Sequence, residues 1–308
     1  METLAVILDA PEKLGLRTLA LNTLGDGDVL VAVDWSGIST GTEKLLWSGK
    51  MPSFPGMGYP LVPGYESVGR VVDAGRDALD RIDEWVFVPG ANCYQAARGL
   101  FGGTARHVIL PAARAIPLDE KLGRDGILMA LAATACHAIV GGSAPDLIIG
   151  HGILGRLIAR IAIASGAPAP TVWETHPGRR QGQGYSAIDP STDDRRDYRH
   201  ICDASGAPDI LDMAVARLAK GGEVVLAGFY DTLSLSFPPA FMREARFRIS
   251  AEFTPDDLAT VTALIAGGAL RLDGLISHVR DAGEAEDAYP AAFGDPDCLK
   301  MVLDWRHQ

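Results

Sequence analysis

Hydrophobic and polar positions follow two different rhythms along this chain. At the start, short apolar runs alternate with turn residues. TLAVILD (3–9) and VLVAVDW (29–35) read as strands separated by the turn signal Gly25-Asp26-Gly27-Asp28. YESVGRVVDAG (65–75) alternates like a strand and stops at a glycine, and Trp85–Val88 and 105–110 read as further strands. Between them lies a stretch rich in Gly, Pro and aromatics (36–64), expected to be mostly loop with a short helix at 43–47. So much strand predicts a barrel-like β domain over 1–117. From 126 to 140 the chain is apolar on nearly every face and reads as a buried helix.

The rhythm then changes. Strand-like runs at Leu147–Ile149, Thr171–Trp173, Ser186–Ile188, 200–203 and 223–227 alternate with helical spacing at 154–165 and 208–219. That alternation predicts a doubly wound parallel sheet over 118–245. After Gly228 it ends. Phe237-Pro238-Pro239 reads as a break, 246–253 as a strand, and 255–267 as an amphipathic helix with a threonine start. The tail at 298–305 reads as a short last helix. The segment 246–308 is too small to stand alone and is expected to return to the first domain.

Composition narrows the function. The 308 residues carry a formal net charge of −11, which argues against a nucleic-acid partner. No apolar run approaches the ~20 residues that cross a bilayer, and the N-terminus lacks a signal-peptide pattern, so a cytoplasmic protein is expected. Cys93, Cys136, Cys202 and Cys298 are far apart and suggest neither a disulfide framework nor a zinc knot.

The stretch 146–166 carries the clearest chemistry. Gly150-His151-Gly152-Ile153-Leu154-Gly155 forms a G-x-G-x-x-G between a strand and a helix, the context a dinucleotide site requires. Gly150 would make the turn, Gly152 would let a pyrophosphate approach, and Gly155 would allow close helix–strand packing. His151, Ile153 and Leu154 belong to the same cofactor-binding turn, with the His151 side chain expected to face cofactor or solvent. Glu174 ends the next strand, 24 positions after Gly150, where a carboxylate accepts hydrogen bonds from the adenosine ribose. This favours NAD. Arg179 and Arg180 could instead hold the 2′-phosphate of NADP, but they lie in the polar segment GRRQGQG and are expected to be solvated.

Further strings resemble a known family. Pro63-Gly64-Tyr65-Glu66 resembles the G-H-E signature of the medium-chain dehydrogenase/reductase superfamily, with Tyr65 in place of histidine. Gly37-Ile38-Ser39-Thr40-Gly41-Thr42-Glu43 resembles its G-I-C-G-T-D loop, with one insertion and Thr40 in place of cysteine. The resemblance covers essentially the whole chain. It implies an α/β fold in which a β-rich, GroES-like catalytic domain holds an inserted Rossmann domain. Longer strings, among them LAKGGEVVLAGFY, FPPAFMREAR and CLKMVLDW, are similar to the branch that oxidises a 1-hydroxyethyl group on a bacteriochlorophyllide, which implies a tetrapyrrole substrate. A homodimer is compatible with this family.

The resemblance also implies what is missing. Thr40, Tyr65 and Ala130 stand at the family's catalytic zinc positions, and only Cys93 remains of its four-cysteine lobe. None of the three is a good zinc ligand, so no metal is expected. The alcohol proton then needs another path, and Tyr65, Glu66 and Thr42 are the candidates. Among the histidines, His107 could face a cleft, and His137 is expected to be structural. The loop WSGKMPSFPGMGY (47–59) is a candidate apolar wall for a macrocycle. Two rivals stay open: a zinc-free NADPH-dependent enone or quinone reductase, and a nucleotide-binding protein without chemistry.

Overall fold

The alternating runs at the start of the chain do form antiparallel strands. The computed structural model describes residues 1–140 and 142–308, and contacts divide them into a unit of Met1–Met129 with Leu272–Gln308 and a unit of Ala130–Arg271. The first unit opens with β1 (Glu2–Ala10), β2 (Lys13–Ala20), β3 (Asp28–Ile38) and the short helix α1 (Thr42–Ser48). There follow β4 (Leu61–Val62), β5 (Ser67–Ala74), β6 (Trp85–Val88), β7 (Arg98–Gly99), β8 (His107–Pro111) and β9 (Ile116–Pro117).

The second unit holds nearly all of α2 (Met129–Ile139), then β10 (Leu147–Ile149), α3 (Ile153–Ala164), β11 (Thr171–Trp173), β12 (Ser186–Ile188) and β13 (Tyr198–Asp203). It continues through α4 (Ile210–Arg217), β14 (Leu218–Leu226), α5 (Phe237–Arg243), β15 (Arg246–Ile249) and α6 (Pro255–Ala266). The chain then returns to the first unit with β16 (His278–Asp281), α7 (Ala285–Gly294) and β17 (Met301–Asp304).

Among the described residues, the second unit's sheet has the order β12-β11-β10-β13-β14-β15, all parallel. This is the doubly wound order whose direction reverses beside β10, so the turns after β10 and β13 meet at a ligand-binding crevice. Leu147, Ile148 and Ile149 are fully or almost fully buried, as the unbroken apolar run requires of a central parallel strand.

Four expectations change. The tail is a strand, not a helix: β17 pairs antiparallel with β3, Met301 opposite Ile38. A free strand edge outweighed the local pattern, which for a short apolar run does not separate helix from strand. Pro238 and Pro239 sit in the first turn of α5, where proline is tolerated, rather than breaking the chain. Of 246–253 only Arg246–Ile249 is strand, and it joins the parallel sheet beside β14. The return to the first unit therefore comes at Leu272, later than 246.

Candidate active site

In the first unit the segment after β3 and the segment before β5 bring three hydroxyls together. Tyr65 Oη lies 2.7 Å from Ser39 Oγ and donates more loosely to Thr42 Oγ1 at 3.4 Å. Its ring stands edge-on to Phe101, centroids 5.3 Å apart. Desolvation around the ring, and then the charge of Glu66, push the phenol's pKa above its ordinary value, although the bonds to Ser39 and Thr42 oppose this. Tyr65 and Thr42 each keep part of their surface open, whereas Ser39 is buried.

Behind the hydroxyls lies a buried layer of charge. Glu66 is fully buried and ion-paired with Lys300, which is also buried and donates to the carbonyl of Ile38 at 3.0 Å. Burial raises the Glu66 pKa, and the Lys300 ammonium pulls it back. Lys300 thus ties the chain just before Ser39 to the chain just after Tyr65. Glu43, on the first turn of α1, accepts from Ser39 N at 3.2 Å and from Tyr289 Oη at 2.7 Å. With no exposed surface, its pKa is pushed up to about 7, mainly by desolvation.

The second unit carries the glycine turn. Gly150 has φ 93°, a conformation that costs glycine little. A Cβ on Gly155 would lie 1.9 Å from the Gly150 carbonyl oxygen, so only glycine lets α3 start this close to the turn. Gly152 caps α3 and faces open space, with nothing within 4 Å of an added Cβ. Helix N–H groups and open approach fit a pyrophosphate. Across the crevice, Asp203 at the end of β13 accepts from Ser205 N at 2.9 Å and Ser205 Oγ at 2.6 Å, and Tyr230 Oη bonds its other oxygen.

Several candidate residues lie differently from expectation. Glu66 is not open to a substrate, because its carboxylate is committed to Lys300. Ser39, not Thr40, meets Tyr65, so the one-residue insertion shifts which hydroxyl fills that position. The His151 side chain does not face solvent: it is fully buried and bonded to the Arg179 carbonyl and the Tyr185 hydroxyl. Arg180 is not simply solvated. It donates to the carbonyls of Glu174 (2.8 Å) and Thr175 (2.7 Å) and pairs with Asp189 at 2.5 Å. Glu174 keeps its place at the end of β11 and accepts from His176 N at 2.7 Å.

Trp47, Met51, Met57 and Tyr59 pack against a core of Leu8, Leu46, Leu61 and Leu100, so the two ends of the 47–59 loop cover that core while residues 52–56 stay exposed. His137 Nδ1 meets Asp257, the capping-box acid of α6, at 2.8 Å, in keeping with a structural role. His107 is only partly exposed, and its backbone N–H is held by Thr3 Oγ1.

Lys300, Ser39 and Tyr289 escaped the sequence reading. Only Lys300 left a signal, a lone cation inside the apolar run CLKMVL. Hydroxyls at Ser39, Thr42 and Tyr65 do not make a catalytic zinc site, which takes three ligands of Cys, His or carboxylate type. Among the described residues no three His, Cys, Asp or Glu side chains converge to hold a metal.

Residues 25–120 match the alcohol dehydrogenase GroES-like domain. The chain is 56% identical to 2-desacetyl-2-hydroxyethyl bacteriochlorophyllide A dehydrogenase of Cereibacter sphaeroides and 55% identical to that of Rhodobacter capsulatus, in each case over 99% of both chains. It shares its fold with a solved Escherichia coli alcohol dehydrogenase complexed with NADH, with a TM-score of 0.85, 20% identity and coverage of 98% of this chain and 99% of that one. The chain therefore belongs to the family of 2-desacetyl-2-hydroxyethyl bacteriochlorophyllide A dehydrogenases, within the medium-chain dehydrogenase/reductase superfamily.

Proposed function

We propose that this chain oxidises the 1-hydroxyethyl side chain of a bacteriochlorophyllide to acetyl, with NAD as hydride acceptor. The observation that carries the substrate is the identity of 55–56% to two bacteriochlorophyllide dehydrogenases along nearly their whole length. In this reading the first unit holds the reacting alcohol and the second holds the dinucleotide. Oxidation removes a hydride from the carbinol carbon and a proton from its oxygen, and NAD supplies the hydride acceptor when bound.

The chain's own hydroxyls handle the proton. With its pKa raised, Tyr65 stays a phenol at neutral pH and is no standing base. Its oxygen instead accepts the alcohol proton while its own proton moves to Thr42 and on to water. Ser39 donates to Tyr65 and holds it in line. Glu66 and Lys300 act from behind by fixing the two segments that carry the hydroxyls. This mechanism is zinc-free, a reading supported by the donor set around Tyr65.

The choice of NAD is supported by Glu174 at the strand end and by Arg180, whose guanidinium is already committed to Asp189 and two carbonyls. A 2′-phosphate would meet the Glu174 carboxylate. The test compares kcat/KM for NAD and NADP in wild type and in Glu174→Ala, with discrimination expected to fall in the variant.

A homodimer joined through the second unit is also part of this proposal. β15 is one edge of its sheet and ends in Ile249, and α5, just before it in the chain, carries Phe237, Phe241 and Met242; all four residues are at least 66% exposed. Sedimentation equilibrium with Ile249→Lys tests it. We place the protein in the cytoplasm because the cysteine spacing offers no disulfide framework; among the described residues no helix is long and apolar enough to cross a membrane.

The deciding experiment incubates purified protein with NAD and 3-hydroxyethyl bacteriochlorophyllide and follows the absorption spectrum. An acetyl group extends the conjugation and moves the long-wavelength band. An unmoved band together with NADPH-dependent loss of a C=C bond would favour the enone-reductase reading.

A further inference from the structure

His151 occupies a spacer position of the glycine motif, yet its side chain makes two bonds to another part of the second unit. Nδ1 lies 2.5 Å from the carbonyl oxygen of Arg179, and Nε2 lies 2.7 Å from Tyr185 Oη. A carbonyl can only accept, so Nδ1 carries the hydrogen. Nε2 is then a bare lone pair, and the Tyr185 hydroxyl donates to it. The imidazole has no exposed surface, and its ring meets that of Tyr185 edge-on with centroids 5.4 Å apart. Desolvation and then the nearby Arg156 charge lower its pKa to about 4, which keeps this neutral tautomer at physiological pH.

Arg156, in the first turns of α3, reinforces the same junction. It donates to the carbonyls of His151 (3.1 Å), Arg179 (3.1 Å) and Gln181 (3.4 Å). Arg180 ties the loop onward to the carbonyl of Glu174 at 2.8 Å. The glycine turn, the loop 178–184 and the end of β11 are therefore one hydrogen-bonded assembly, with His151 at its centre.

We propose that His151 is a positioning residue for the adenosine-diphosphate half of a dinucleotide, with Tyr185 as its partner. The pair latches the loop to the glycine turn and so presets the pyrophosphate seat relative to Glu174. The proposal rests on the reading that this chain binds a nicotinamide dinucleotide. A loop that must be ordered on binding weakens affinity, and a loop already latched avoids that loss.

The test uses ADP-ribose, which has the adenosine and pyrophosphate but no nicotinamide, measured by calorimetry beside steady-state kinetics with NAD. His151→Phe keeps a ring and loses both bonds. It is expected to raise the ADP-ribose Kd and the NAD KM together, by about tenfold, as expected for two lost hydrogen bonds. At saturating NAD its kcat should stay within about twofold of wild type. Tyr185→Phe should produce a smaller rise, and the double variant should bind no more weakly than His151→Phe, because the two share a bond.

Unchanged ADP-ribose affinity in His151→Phe would overturn the latch, whatever happens to thermal stability, and so would a loss confined to kcat. If His151→Phe does not fold, Tyr185→Phe decides alone, and unchanged affinity there overturns the proposal. Wild-type protein that binds neither ADP-ribose nor NAD would overturn the dinucleotide reading itself, a result distinct from wild-type binding with indifferent variants.

Discussion

Lys300→Met keeps most of the side chain's volume and removes its charge. Glu66 would then be a carboxylate with no exposed surface and no counter-ion. Removing one partner of a buried pair costs about 3–5 kcal/mol. Losing the bond to the Ile38 carbonyl adds about 1 kcal/mol. At about 2–4 °C per kcal/mol, Tm should fall by roughly 10 °C or more.

The loss depends on pH, with a definite sign. Burial already raises the Glu66 pKa, and Lys300 is what pulls it down. Without Lys300 the folded chain holds that proton more tightly than the unfolded chain, whose glutamates titrate near ~4.3. The variant is therefore favoured in acid, loses stability as pH rises above that value, and shows its largest deficit at neutral pH. Urea unfolding at pH 5 and pH 8 would measure this. Adding Glu66→Gln should recover most of the loss and flatten its pH dependence. A deficit in Lys300→Met below about 1 kcal/mol at both pH values would refute the buried pair, since even one ordinary hydrogen bond is worth that much.

Three further predictions concern the same unit. Glu43 has a folded pKa raised from 4.5 to about 7, so wild-type stability should decline as pH rises through that window. At about 1.4 kcal/mol per pH unit the decline is on the order of 3 kcal/mol, and Glu43→Gln should remove it in a pH series of unfolding curves. Tyr65→Phe should lower kcat by roughly a hundredfold with a smaller change in KM; an unchanged kcat would return Tyr65 to a space-filling role. Elemental analysis should find no stoichiometric zinc, and activity should survive a chelator, whereas one tightly bound zinc per chain would contradict the hydroxyl mechanism.

Much of this fold was legible because its constraints are local. The turn after β10 needs glycine for its positive φ and for the approach of α3, so a nucleotide site leaves a readable motif. Tyr65 and Thr42 were named as candidates because a resemblance pointed to them, and the fold brings their hydroxyls to 3.4 Å. Ser39 was missed because an insertion hides register, and only the folded turn decides which hydroxyl faces the phenol. Lys300 was missed because its partners are Glu66 and Ile38, more than 200 positions away in the chain. His151 was misread because the motif treats its position as a spacer, while its real neighbours lie in a loop whose sequence reads only as polar. In each miss, the deciding contact is long-range.

The pairing of β17 with β3 also bears on synthesis. The first unit is written in two pieces, with all of the second unit between them. As the chain leaves the ribosome, the parallel sheet of the second unit can be complete while β3, already able to pair with β5 and β8, still lacks β17. The lysine that braces the hydroxyl segments arrives in the same late piece as β17. A nascent or prematurely terminated chain can thus own a finished second unit while Ser39 and Tyr65 still lack the Lys300 brace behind them.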